Sequence, residues 1–169
     1  HVQKGVFDLA EVWGTVLKNR PKSRMVVIGE GPHRKALMAG FEARGLLDSV
    51  TFTGGIDEGT KNKLLRQSRL GLSLSFEEGW GLSVTEFLAA GLPVVAYELP
   101  VFKELFADVL HFAPMKSKLQ AAQVVLSLLD DSDKMERSGI NGKIHARKFK
   151  YQEVAQQELQ LIEQLSSEN

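Results

Sequence analysis

The sequence predicts an α/β fold: a doubly wound parallel sheet with helices on both faces and a helical C-terminal end. Three observations predict it. Short apolar runs rich in β-branched residues, Arg24–Ile28, Val50–Thr53, Leu70–Leu74 and Pro93–Ala96, alternate with segments of helical period. The loops at 29–32, 54–57 and 77–81, each after one of these runs, are rich in glycine. The spacing between runs is that of βαβ units, whose carboxyl-end loops form one edge where ligands bind.

The elements follow in order. Val6, Leu9, Ala10, Trp13, Val16 and Leu17 line one face of a helix from Gly5 to about Asn19, stopped by Pro21. Arg24–Ile28 reads as a buried strand. A helix from about His33 to Arg44 stops at Gly45. After the Val50–Thr53 strand, Asp57 is placed to cap a helix running to about Gln67. The Leu70–Leu74 strand leads through a glycine-rich loop and a short helix to Pro93–Ala96. A loop with Pro100, a helix over about 101–107 and a last strand over 109–112 follow. Residues 116–165 are helical, with breaks near Asp130-Asp131 and Lys148-Phe149; Val154, Ala155, Leu161, Ile162 and Leu165 share a face of the last helix.

The 169 residues suit a single domain with a real core. The formal net charge is +0, which gives no support for a nucleic-acid partner. The absence of cysteine excludes a disulfide framework, a thiolate zinc site and a cysteine nucleophile, and fits a reducing compartment. No apolar run is long enough to span a bilayer. The chain begins at His1, just ahead of a helix, which predicts a piece of a longer protein.

The stretch that organises the rest is Phe76-Glu77-Glu78-Gly79-Trp80-Gly81-Leu82-Ser83-Val84-Thr85-Glu86. It presents a helix N-terminus above the end of a parallel sheet. Such an end has unpaired N–H groups and a positive dipole, and it favours a phosphate or pyrophosphate. Gly79 and Gly81 allow close approach to the backbone, and Glu78 and Glu86 bracket the loop.

This stretch and the Ala89-Ala90-Gly91-Leu92-Pro93-Val94-Val95-Ala96 run after it resemble the motif of the group 1 retaining glycosyltransferases, roughly E-G-F-G-L-x-x-x-E-A-x-A-x-G-x-P-V-V-A. Trp80 stands for the usual Phe. Lys4-Gly5, Ile28-Gly29-Glu30-Gly31-Pro32 and Val50-Thr51-Phe52-Thr53-Gly54 are similar to three further family segments. The resemblance implies a Rossmann-like domain, the nucleotide-sugar-binding half of a two-domain enzyme. The family's Arg partner of Lys4 would fall before His1.

By resemblance, Glu78 is the catalytic-site acid that contacts the donor sugar, without acting as a nucleophile. The usual proposal for this fold is front-face attack assisted by the leaving phosphate, and the two-carboxylate scheme of hydrolases is not implied. Glu86 would bind ribose hydroxyls, against the alternative of a Ser83-x-x-Glu86 capping box. Gly79, Trp80, Gly81, Leu82 and Ser83 would give N–H groups to the pyrophosphate, Lys4 would neutralise it, and Gly29 and Gly31 would line the cleft. Ile56 and Lys61 would meet the nucleotide, the alternatives being plain core and a solvated lysine. Leu99-Pro100-Val101-Phe102-Lys103-Glu104 replaces the family's G-G-x-P-E, which changes how this loop meets the donor. Asp131-x-Asp133 reads as an interhelical turn with a cap rather than a metal site, and His111 as a structural residue.

The expected function is nucleotide-diphosphate-sugar binding, over residues 1–169, in an enzyme that moves a hexosyl group to a glycan or lipid hydroxyl, as in polysaccharide biosynthesis. No metal and no cofactor other than the donor is expected, and no nucleic acid. Acceptor and any membrane contact would belong to a missing N-terminal domain, and the location would be cytoplasmic or peripheral on a membrane. The alternatives are a nucleotide-sugar epimerase-like enzyme and a non-catalytic interaction module on the same fold.

Overall fold

The structure is a computed structural model and describes residues 2–149. Two 3-10 turns, Val2–Lys4 and Val6–Asp8, precede helix α1 (Leu9–Asn19). Strand β1 (Met25–Ile28), helix α2 (Arg34–Glu42), strand β2 (Val50–Gly54), helix α3 (Glu58–Gln67) and strand β3 (Gly71–Ser73) come next. Helix α4 (Leu82–Ala89), strand β4 (Val94–Tyr97), helix α5 (Pro100–Phe106), strand β5 (Leu110–Ala113), helix α6 (Lys118–Asp130) and helix α7 (Ser132–Ala146) complete the order. The segment expected as a last helix, with Val154, Leu161 and Leu165, lies outside the described residues.

All described strand pairs are parallel. β1 pairs with β2, with Met25 opposite Val50, and β3, β4 and β5 pair in that order, with Gly71 opposite Val94 and Val94 opposite Leu110. Successive side chains of a strand point to opposite faces. In β4, Val95 and Tyr97 accordingly enter one apolar cluster and Val94 and Ala96 the other. The first cluster draws on α1, α2 and α6 together with side chains of β1 and β2, such as Val27 and Phe52. The second is built from α4, α5 and β5. Helices on both faces explain why all four β4 residues are buried.

Three expectations need correction. The first helix starts at Leu9, not Gly5, because Gly5 sits at φ 59, a left-handed conformation that breaks the helical path. β1 is half-buried rather than buried: Met25 and Val27 pack into the first cluster while Val26 remains 39% exposed. The helix after β4 begins at Pro100 itself, which occupies the first helical position, where its missing N–H costs nothing.

Asp57 caps α3 as expected, its side chain accepting from Thr60 N at 2.9 Å. Asp131 does the same for α7, accepting from Lys134 N at 2.8 Å. His111 is structural: its Nε2 lies 2.9 Å from Ser138 Oγ, and burial, with Lys134 adding to it, pushes its pKa below the ordinary value.

Candidate functional site

The short β3 strand delivers the chain through Phe76–Gly81 to the start of α4. Gly81 is the N-cap residue, at φ 95, and a Cβ there would lie 2.5 Å from Phe102 Cε1. Any side chain there would strain the backbone and overlap the Phe102 ring. The first helical bond runs from Thr85 N to Gly81 O at 3.0 Å, so the N–H groups of Leu82, Ser83 and Val84 have no acceptor within the helix. Among the described residues, no side chain caps them. Leu82 and Ser83 are exposed, and the Cβ position of Gly79 faces open space. The result is an uncapped helix end with room in front of it, suited to an anion. The capping-box alternative for Ser83 and Glu86 is overturned. Both residues lie inside the helix, because Gly81 takes the N-cap place.

Each of the two acids has its own lysine. Lys4 Nζ donates to Glu78 Oε1 at 2.6 Å and to Oε2 at 2.7 Å. Ser75 Oγ donates to Glu78 Oε1 at 2.8 Å. The Glu78 side chain is only 7% exposed, so it is no solvated loop acid. Lys61 Nζ bridges Glu86 Oε1 and Glu58 Oε1, both at 2.8 Å. These hydrogen bonds, Glu58 first and then Glu86, raise the Lys61 pKa. With its side chain 18% exposed, Lys61 is not a solvated helix lysine. Cation and anion therefore alternate around the helix end.

Lys4 is brought there by backbone contacts. Gly5 presses on the end of β3, where a Cβ would stand 1.7 Å from the Leu74 carbonyl oxygen. Phe76 N donates to Gln3 O at 2.7 Å, and Gln3 Nε2 donates to Glu77 Oε2 at 3.0 Å. Downstream, the buried Tyr97 hydroxyl donates to Asp8 Oδ2 at 2.8 Å. Burial, together with this bond and the Asp8 charge, pushes the Tyr97 pKa up. The N-terminal turns are thus laced to the carboxyl ends of β3 and β4.

The sequence profile of the glycosyl transferases group 1 matches residues 2–145. The chain belongs to the group 1 glycosyltransferases. It is 27% identical over 143 residues to the alpha-monoglucosyldiacylglycerol synthase of Streptococcus pneumoniae, covering 85% of this chain and 32% of that protein. The structure superposes with a TM-score of 0.89 on sucrose-phosphate synthase from Thermosynechococcus elongatus, at 22% identity, covering 100% of this chain and 44% of that one. Anabaena Alr3699/HepE in complex with UDP and glucose gives a TM-score of 0.82 at 21% identity, covering 99% and 46%. The chain spans 32–46% of the length of these proteins.

Within this group 1 glycosyltransferase fold, Gly29, Gly31 and Ile56 follow the carboxyl ends of β1 and β2, which pair in a two-stranded sheet separate from the β3-β4-β5 sheet, while Trp80 lies in the loop after β3. Gly29 N donates to Gly54 O at 3.0 Å, tying the ends of β1 and β2, and the Cβ position of Gly31 faces open space. Ile56 is half-buried and belongs to neither apolar cluster, which removes the plain-core alternative. Among the described residues, no hydrogen bond links Gly29, Gly31 or Ile56 to the two acid–lysine pairs. Trp80 is 38% exposed and meets Phe149 edge-on, with ring centroids 5.2 Å apart.

The Leu99–Glu104 segment, where the family pattern has glycines, forms the start of α5. Its Phe102 fills the space behind Gly81. Sequence reasoning missed Ser75, Glu58 and Gln3, which bond Glu78, Lys61 and Glu77. The only local hint was the position of Ser75 and Glu58, three residues from their partners.

Proposed function

We propose that this chain is the nucleotide-sugar-binding half of a longer, two-domain retaining glycosyltransferase. The whole enzyme would move a hexosyl group from a nucleotide-diphosphate donor to a hydroxyl of a glycan or lipid. The observation that carries this is the uncapped N-terminus of α4, flanked by the Lys4–Glu78 and Lys61–Glu86 pairs. The diphosphate would lie against the N–H groups of Leu82 and Ser83, with Gly79 and Gly81 admitting it and Trp80 beside it. Lys4, already poised with Glu78, would take the charge that develops on the departing diphosphate. Glu78 would receive sugar hydroxyls and Glu86 the ribose, with Ile56 and Lys61 on the nucleotide side and Gly29 and Gly31 lining the cleft.

Lys4 and the helix end supply positive charge where a metal ion would otherwise serve, and Asp131 is occupied as a helix cap. The reading therefore has no metal and no cofactor beyond the donor. The structure in complex with UDP and glucose supports a nucleoside-diphosphate ligand, and the relative named as a diacylglycerol-glycoside synthase supports a lipid acceptor. Acceptor and membrane contacts belong in this reading to the other domain. No described helix is long and apolar enough to cross a membrane. A cytoplasmic enzyme, peripheral on the membrane when its acceptor is a lipid, follows from the proposal.

Calorimetric titration of the chain with UDP, GDP and ADP, repeated on Glu86→Ala, tests it. Selective binding of one nucleotide, lost in the variant, is expected. Binding of none at millimolar concentration sinks the proposal.

A further inference from the structure

Ser75 lies just past the carboxyl end of β3 and is 4% exposed. Its hydroxyl is spent on one partner, Glu78 Oε1, at 2.8 Å. The loop that carries it is clamped, since the next residue, Phe76, donates its N–H to Gln3 O at 2.7 Å. A hydroxyl at that burial is not exchanging its acceptor with water, so it fixes the rotamer of the acid it touches.

The acceptor sites of Glu78 can be counted. An ionised carboxylate offers about four, two on each oxygen. Ser75 and Lys4 take both on Oε1, at 2.8 and 2.6 Å, and Lys4 takes one on Oε2, at 2.7 Å. Among the described residues nothing takes the remaining site, on Oε2. We propose that Ser75 is a positioning residue for recognition of the donor sugar. With Lys4 it saturates Glu78 Oε1 and holds the carboxylate so that the free site of Oε2 accepts a sugar hydroxyl. This rests on the nucleotide-sugar reading and specifies which atom of Glu78 acts and what holds it. The rotamer is fixed before the donor arrives, so binding need not order it.

The test is calorimetric titration of the chain with three ligand pairs: UDP and UDP-glucose, GDP and GDP-mannose, ADP and ADP-glucose. The ratio of the two Kd values in a pair is the factor by which the sugar raises affinity. Ser75→Ala is expected to lower that factor about tenfold while moving the free-nucleotide Kd less than about twofold, the loss of one charge-assisted hydrogen bond. Ser75→Thr keeps the hydroxyl and is expected to restore the factor. Should the added methyl unfold Ser75→Thr, the double variant Ser75→Ala/Glu78→Gln decides. It must lose no more of the factor than Glu78→Gln alone, because Ser75 acts only through Glu78.

An unchanged factor in Ser75→Ala, an equal loss for free nucleotide and nucleotide-sugar, additive losses in the double variant, or a wild-type factor of one would each overturn the inference. In each of those outcomes the wild-type chain still binds nucleotide. Failure of all six ligands to bind overturns the nucleotide-sugar reading itself, and this inference with it.

Discussion

The Lys4 ammonium holds both carboxylate oxygens of Glu78 across 74 residues of chain, at 2.6 and 2.7 Å. The pair is asymmetric in burial: the lysine side chain is 51% exposed and the acid 7%. Removing the lysine therefore leaves a desolvated carboxylate with Ser75 as its only described side-chain partner. Lys4→Met is expected to cost about 1–3 kcal/mol in urea unfolding. Lys4→Met/Glu78→Gln is expected to recover about 1 kcal/mol of it, since the orphaned charge is gone. Additive losses in this cycle would show that the pair carries no coupling.

The Lys4 position depends on the residue after it. A Cβ at Gly5 would sit 1.7 Å from backbone oxygen of Leu74, an atom that no side-chain rotation moves. Gly5→Ala must lift the N-terminal turns from β3 and separate Lys4 from Glu78. The expected result is loss of nucleoside-diphosphate affinity comparable to that of Lys4→Met, at least about tenfold, the scale of one charge-assisted contact. Titration of both variants with the same nucleotide checks the equivalence.

The two loop glycines differ. Gly81 combines φ 95 with a 2.5 Å approach of its missing Cβ to Phe102, whereas the Cβ position of Gly79 is open. Gly81→Ala is expected to destabilise by about 1–3 kcal/mol, and Gly79→Ala by less than about 0.5 kcal/mol. Gly81→Ala with Phe102→Leu should recover the overlap part and retain the backbone strain. Denaturant midpoints of the three proteins give the comparison.

His111 supplies a pH dependence. Burial lowers its folded pKa below the unfolded value near 6.5, so its neutral form is the one the fold favours. Between those two values the unfolded chain binds more protons, and stability falls as the pH drops through 6.5. Above 6.5 both states are neutral and this contribution is flat. Tm measured from pH 7.5 down to 5.5 should decline, and His111→Gln, which can still bond Ser138, should decline less. Parallel curves would assign the acid sensitivity to other groups.

Tyr97 ties the N-terminal turns to β4 through Asp8. Tyr97→Phe keeps the ring, which stacks on Phe76 with centroids 6.0 Å apart, and deletes only the bond. A stability loss of about 0.5–1.5 kcal/mol is expected. Nucleotide affinity should fall by less than in Gly5→Ala, because the Gly5 contact on β3 remains.

Much of the architecture was legible because it is local. Asp57 announces the start of α3 through the side-chain bond it can make to Thr60 N, three residues on. Val94–Ala96 reads as a buried strand because it is an unbroken apolar run, and the structure buries it on both faces and extends it to Tyr97. What misled was also local. Val26 is as apolar as Val27, and nothing in the run says that only one of them would be covered. The alternative of a capping box at Ser83 and Glu86 was local too, a matter of spacing, and it fails because Gly81, packed against Phe102, takes the N-cap.

By itself, the sequence determined the order of strands and helices, the glycine-rich loop ahead of α4 and the two acids that bracket it. Spacing, glycine placement and hydrophobic period are properties of neighbouring residues. Only the tertiary structure decided which cation meets which acid. Lys4 reaches Glu78 because Gly5 packs on the end of β3, and Lys61 of α3 reaches Glu86 of α4, 25 residues on. Such pairs bring together groups far apart in the chain, and only a packed core holds them within hydrogen-bond distance.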